Sequence, residues 1–151
     1  MSDTGKRTAV IGKSRKIASQ LTFSMPLPLN FLSLGRWLYA IPFAIFGIFH
    51  FINGDQMTGM VPSYLPASIV WIYISGIGLL GASAAMLLGK YDKLAATLLA
   101  VELILFVLLI HLPMVMGGDQ MAVGSLLKDI GLSGGALLYA NYIAKDRSVV
   151  G

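Results

Sequence analysis

The stretch LAATLLAVELILFVLLIHL, residues 94–112, decides what kind of protein this is. It carries one carboxylate, Glu102, before the histidine that nearly closes it. A helix needs about 20 predominantly apolar residues to cross a hydrocarbon layer of about 30 Å, and this run is that long. Three more runs of the same character lie at 32–51, 67–88 and 126–143. Strands of a membrane barrel would need only about ten residues and would alternate in polarity, which these runs do not. The links 52–66, 89–93 and 113–125 are short, so sequential neighbours should be antiparallel. The expected fold is an all-α membrane protein, a four-transmembrane-helix up-down bundle.

Composition agrees. The 151 residues are 56% hydrophobic and 12% charged, with mean hydropathy +0.78. A soluble domain carries about 25% charged residues, so most of this chain should face an apolar phase. There is no cysteine, which excludes disulfides, thiol redox chemistry and cysteine-held iron–sulfur clusters within the chain. No covalently bound cofactor is expected, and a redox role would need a quinone or a partner. Nucleic acid is not an expected partner.

Lysine and arginine placement sets the expected orientation. Ten of the eleven basic residues fall on one side: the N-terminal segment, Arg36, the turn with Lys90 and Lys93, and the tail with Lys145 and Arg147. Only Lys128 belongs to the other side. Both termini should therefore be cytoplasmic, in a bacterial-type inner membrane. Residues 1–31 are basic but lack the apolar core of a signal peptide, so they are expected to form an arm, lying on the membrane surface or partly disordered. Residues 32–143 form the transmembrane domain and 144–151 a cytoplasmic tail.

Ionisable groups inside spans are costly, roughly 2.5–3.5 kcal/mol at mid-helix, and each needs an account. Arg36 either snorkels to the headgroups or pairs with Glu102, which lies too deep to snorkel and could serve as a buried ion-pair or proton site. Arg36, Ala40, Phe43, Gly47 and His50 share one helical face, and its small residues mark it as bundle-facing. His50 and His111 close their spans on the outer side, each followed by the phrase Gly-Asp-Gln-Met, at 54–57 and 118–121. Asp129 is expected at the start of the fourth helix, where its charge suits the dipole. Lys128 is expected to pair with Asp119, Asp55 or Asp129. His50, Asp55, His111, Asp119, Lys128 and Asp129 thus make an outer polar cap, the candidate surface for a ligand or partner.

Five methionines, Met57, Met60, Met114, Met116 and Met121, lie in the same outer segments. Thioether and imidazole suit Cu(I), which makes His50, His111, Met57 and Met60 weak metal candidates. Filling gaps in folded-back loops accounts for the methionines better, and neither haem nor copper is favoured. The run GIGLLG at 76–81 spells a dinucleotide fingerprint, but no strand precedes it and it lies inside a span. Its glycines, like Gly131 and Gly135, are expected to let helices approach closely, within the bundle or in a homo-oligomer. Trp71 and Tyr64, Tyr73, Tyr91, Tyr139 and Tyr142 lie towards span ends, as interface belts require.

Arg36 early in the first span, FGIFHF at 46–51, MVPSYLP at 60–66, IHLP at 110–113 and KDIGLSGGAL at 128–137 resemble the DoxX family of small four-span membrane proteins. The resemblance covers about 32–143. It implies a four-helix bundle and a redox association, since relatives occur as a small subunit of a quinone-linked thiosulfate-oxidising membrane enzyme, and beside superoxide-defence and thiol enzymes. It supplies no catalytic set to place on this chain. The expected function is a small membrane subunit, not an enzyme on its own, of a quinone-linked or other redox complex. Two alternatives stand beside it: a binding or transport module for a small hydrophobic or metal ligand at the outer cap, and a structural subunit sealing the edge of a large assembly.

Overall fold

A computed structural model describes residues 29–146, 148 and 149. The expected surface arm falls mostly outside them. The four long apolar helices lie in the unit that begins at Ser33. Among the described residues there is no strand. Helix α1 is Leu29–Ile52, the short α2 is Gly54–Met57, and α3 is Ser68–Leu88. Helix α4 is Asp92–Met116 and α5 is Met121–Ile143. Four of these, α1 from Leu34 on, α3, α4 and α5, are long and apolar enough to cross a membrane. The spans expected from the sequence overlap these helices with shifted ends: α3 begins one residue later, α4 begins two residues earlier and runs four further, and α5 begins five residues earlier.

In lipid there is little hydrophobic gain when helices meet, so packing and interhelical hydrogen bonds must hold them. The core reflects that. Ala40, Ala82, Ala96, Ala100, Ala136 and Ala140 are buried beside Phe43, Leu79, Met86, Leu99, Leu103 and Tyr139. The face of α1 expected to point inward does so: Ala40, Phe43 and Gly47 are buried. Gly47 lies against α3 so closely that a Cβ there would stand 2.7 Å from Leu80 Cγ and 2.9 Å from the Gly76 carbonyl. Gly76 in turn lies against His50 Cβ. The hydroxyl of Ser83 donates to the Ala40 carbonyl across the same crossing, at 2.8 Å. Gly135 makes a second close approach, against the Tyr39 ring. Gly131, expected to act with it, opens onto space within this chain.

Two π turns interrupt the spans, Val107–His111 in α4 and Tyr139–Ile143 in α5. The first sits directly before Pro113. Leu112 N–H reaches back five residues to the Val107 carbonyl, and the next residue, proline, has no N–H to give. That is why α4 passes the proline, which the sequence alone marks as its end. The extra residue also turns the rest of the helix back by about 100°, one α-helical step. The inward face of α4 is Ala96, Leu99, Ala100 and Leu103. On an unbroken helix His111 would lie about 80° away from Leu103; the π turn brings it back onto that face.

Candidate functional site

Three polar places are built into this helical framework. The first is at the end where α4 starts. Asp92 is fully buried, and its carboxylate accepts the backbone N–H of Lys145 at 3.0 Å and of Asp146 at 2.9 Å, and the Tyr139 hydroxyl at 3.3 Å. Arg36 stands 3.6 Å away as an ion pair, and its Nε donates to the Met86 carbonyl. The pair of Arg36 with Glu102 suggested by the sequence is therefore replaced by Arg36 with Asp92. The Arg36 side chain is 16% exposed. Gly89, at φ +70°, makes room for it; a Cβ there would stand 2.9 Å from Arg36 Nη2. Tyr139 also leaves the expected interface belt, being buried here, while Tyr64, Tyr73, Tyr91 and Tyr142 are exposed. Asp92 is hidden at the level of sequence because Lys90 and Lys93 around it look like an ordinary solvated turn.

Asp146 extends this fastening. Its carboxylate accepts from Ser148 Oγ and N and from Tyr91 N. These hydrogen bonds, the Ser148 hydroxyl first, hold its pKa down from 3.8 to about 2. A depressed carboxylate stabilises the docked tail above its free pKa, and that contribution disappears as pH falls through the folded value. The Tyr91 amide should therefore stay protected from exchange at pH about 3 and lose protection near pH about 2. Loss at the ordinary aspartate pKa would contradict the contact.

The second place is at the opposite end of α4. His111 Nε2 lies 2.9 Å from Asp129 Oδ2, and Lys128 Nζ lies 3.3 Å from Asp129 Oδ1. Lys128 also stands 5.0 Å over the Phe46 ring, a cation–π contact. Asp129 is 3% exposed. Of the three partners expected for Lys128, it takes Asp129. The dipole role expected of Asp129 is not the one it has, because α5 begins at Met121 and Asp129 lies two turns in. Asp119 takes the helix start instead, accepting from the N–H groups of Met121 at 2.9 Å and Ala122 at 3.3 Å. Asp55 is exposed, and the two Gly-Asp-Gln-Met phrases do different local work, one opening α2 and the other capping α5. His50 is occupied by its own helix, Nδ1 lying 2.8 Å from the Phe46 carbonyl. Of the residues expected to form a polar cap, the structure thus brings together His111, Lys128 and Asp129. Among the described residues no group of three His, Cys, Asp or Glu is placed to hold a metal ion, His50 and His111 included.

The two histidines should be opposite tautomers. A carbonyl can only accept, so His50 carries its proton on Nδ1. A carboxylate paired with lysine can only accept, so the neutral His111 ring carries its proton on Nε2. His111 Nδ1 is buried without a hydrogen-bond partner. With two histidines in the chain, nitrogen-15 spectra of histidine-labelled protein, recorded at a pH where the rings are neutral, should show them protonated at different nitrogens. Matching tautomers would contradict one of the two contacts.

The third place is Glu102. It faces α3, where Ser75 hydrogen-bonds its carboxyl and a Cβ on Gly78 would stand 2.6 Å from Oε2. Beside it a cleft of about 220 Å³ opens between α3 and α4. The sequence marks Glu102 through its charge in lipid, but carries no sign of Ser75 or the cleft.

No curated protein and no solved structure matches the chain. The profile of a family described as a domain of unknown function, DUF8561, matches residues 39–129, from Tyr39 on α1 to Asp129 beside His111. Spanning well over half of the chain and most of its long helices, that match makes this protein a member of the DUF8561 family.

Proposed function

We propose that the chain is a small integral-membrane subunit, non-catalytic on its own, of a quinone-linked redox complex. The observation that carries this reading is how little the helices bury. Only 17–33% of the residues in each apolar window are buried within the chain, so each helix keeps apolar side chains for lipid or a partner subunit. The polar groups favour a supporting role. Asp92 and Asp119 are spent on backbone amides. The resemblance of about 32–143 to DoxX proteins favours a redox partner and a quinone. In this reading the helices form an up-down bundle with both termini in the cytoplasm of a bacterial-type cell, as the lysines and arginines suggest. Membranes from cells lacking the chain should lose quinone-dependent turnover of the partner enzyme, and re-expression should restore it. Unchanged turnover would leave only a structural subunit.

A second reading, a ligand-binding module at the outer cap, is favoured by one observation, the buried Nδ1 of His111 that has no hydrogen-bond partner. Metal content unchanged between the wild type and His111→Ala would remove its metal version.

A further inference from the structure

We infer that the cleft between α3 and α4 is a binding site for the head group of a lipid-soluble molecule, a compact ring bearing hydrogen-bonding oxygen, with its tail left among the lipid chains. The inference rests on the quinone-linked reading of the chain and gives it a location. Glu102 lies ten residues into α4, about 15 Å along a helix of about 37 Å, so the cleft is near mid-membrane. A ligand there arrives sideways through lipid. The exposed Ile77 and Leu98 are among the lining residues, so the cleft is open at the outer surface of the helices.

Two glycines make the recess. Gly78 lets the Glu102 carboxyl lie against the α3 backbone, and Gly81, with nothing within 4 Å of its missing Cβ, leaves space beyond it. The remaining walls, Ala82, Ala95 and Leu99 among them, are apolar. Pockets for whole drug-sized ligands run to about 300–1,000 Å³; one of about 220 Å³ suits a head group rather than a complete molecule. The carboxyl is the polar anchor. Ser75 engages it, yet a carboxyl offers about four lone-pair positions. In hydrocarbon the unused ones have no water to turn to, so a head group that can exchange a hydrogen bond with oxygen is the complement. A quinol hydroxyl donates to those lone pairs, and a quinone carbonyl accepts from the carboxyl when it carries its proton.

The test uses the full chain in lipid nanodiscs, with decylbenzoquinone and decylhydroquinone as probes and decylbenzene as the competitor without a polar head. Gly81→Leu fills the cleft from a position that touches nothing else. Gly131→Leu, equally unobstructed on α5, controls for adding leucine to a helix surface. Saturable binding is expected in the wild type, weakened at least about tenfold by Gly81→Leu and by Glu102→Ala, and changed less than about twofold by Gly131→Leu. Decylbenzene should not compete. Quinone binding that Gly81→Leu leaves intact would overturn the cleft while sparing the quinone reading. Binding of decylphenol, lost in Gly81→Leu, with no binding of either quinone form would keep the cleft and overturn the quinone reading. Equal competition by decylbenzene would overturn the polar anchor.

Discussion

Replacing Asp92 with alanine is expected to destabilise the protein more than any other single substitution proposed for it, by about 3–5 kcal/mol. The carboxylate is fully buried and receives two backbone amides from beyond α5, a tyrosine hydroxyl and an arginine. Without it, Arg36 becomes a buried charge lacking its counter-ion and the amides of Lys145 and Asp146 lose their acceptor. Because those groups come from α1, α5 and the segment after it, the loss should free the C-terminal end of α5 as well. Detergent-titrated unfolding in bicelles measures the first effect and hydrogen exchange at Lys145 and Asp146 the second. Restoring apolar complementarity in Arg36→Met with Asp92→Leu should recover part of the loss, since an apolar pair leaves no buried charge. A cost below about 1 kcal/mol for Asp92→Ala would mean that water or lipid headgroups reach this place and the fastening is superficial.

Substituting Gly47 should have the next largest effect. The obstacles to a Cβ there are Leu80 Cγ, which can rotate, and the Gly76 carbonyl, which cannot. Alanine must therefore push α1 from α3, at a cost of about 1–3 kcal/mol. The Ser83 hydroxyl bond to Ala40 lies on the same crossing and should lengthen with it. Gly131→Ala meets nothing within 4 Å and should be close to neutral in the isolated chain. If Gly131→Ala instead disrupts the protein as extracted from membranes, that face of α5 is covered by another subunit. Equal small effects at both positions would mean that the crossing is looser than its distances indicate.

These two positions also show what the sequence could reveal. The 4, 3, 4, 3 spacing from Arg36 to His50 picks out the inward face of α1, Gly47 included, because helical periodicity and the preference for small residues at membrane interfaces are local rules. The four long apolar helices follow from run length alone. Asp92 is illegible for the opposite reason. Its partners are the backbone amides of Lys145 and Asp146, more than fifty residues away, and backbone groups leave no mark in a residue pattern. His111 is marked as an end-of-span histidine, but its meeting with Asp129 depends on the π turn, and nothing before Pro113 announces one. Glu102 stands out as a charge in lipid, whereas the cleft beside it exists through two absent side chains, at Gly78 and Gly81, which read as helix-packing glycines. The expected surface arm, within 1–31, falls almost wholly outside the described residues.

If this chain works as one subunit of a larger redox assembly, its mass in the native state is the most direct test. Gently extracted from its own membranes and measured by native mass spectrometry, the 16.2 kDa chain should appear in a complex containing a different, larger polypeptide with redox activity. A spectrum holding only whole-number multiples of this chain, in membranes where the quinone-linked activity survives its removal, would contradict that role.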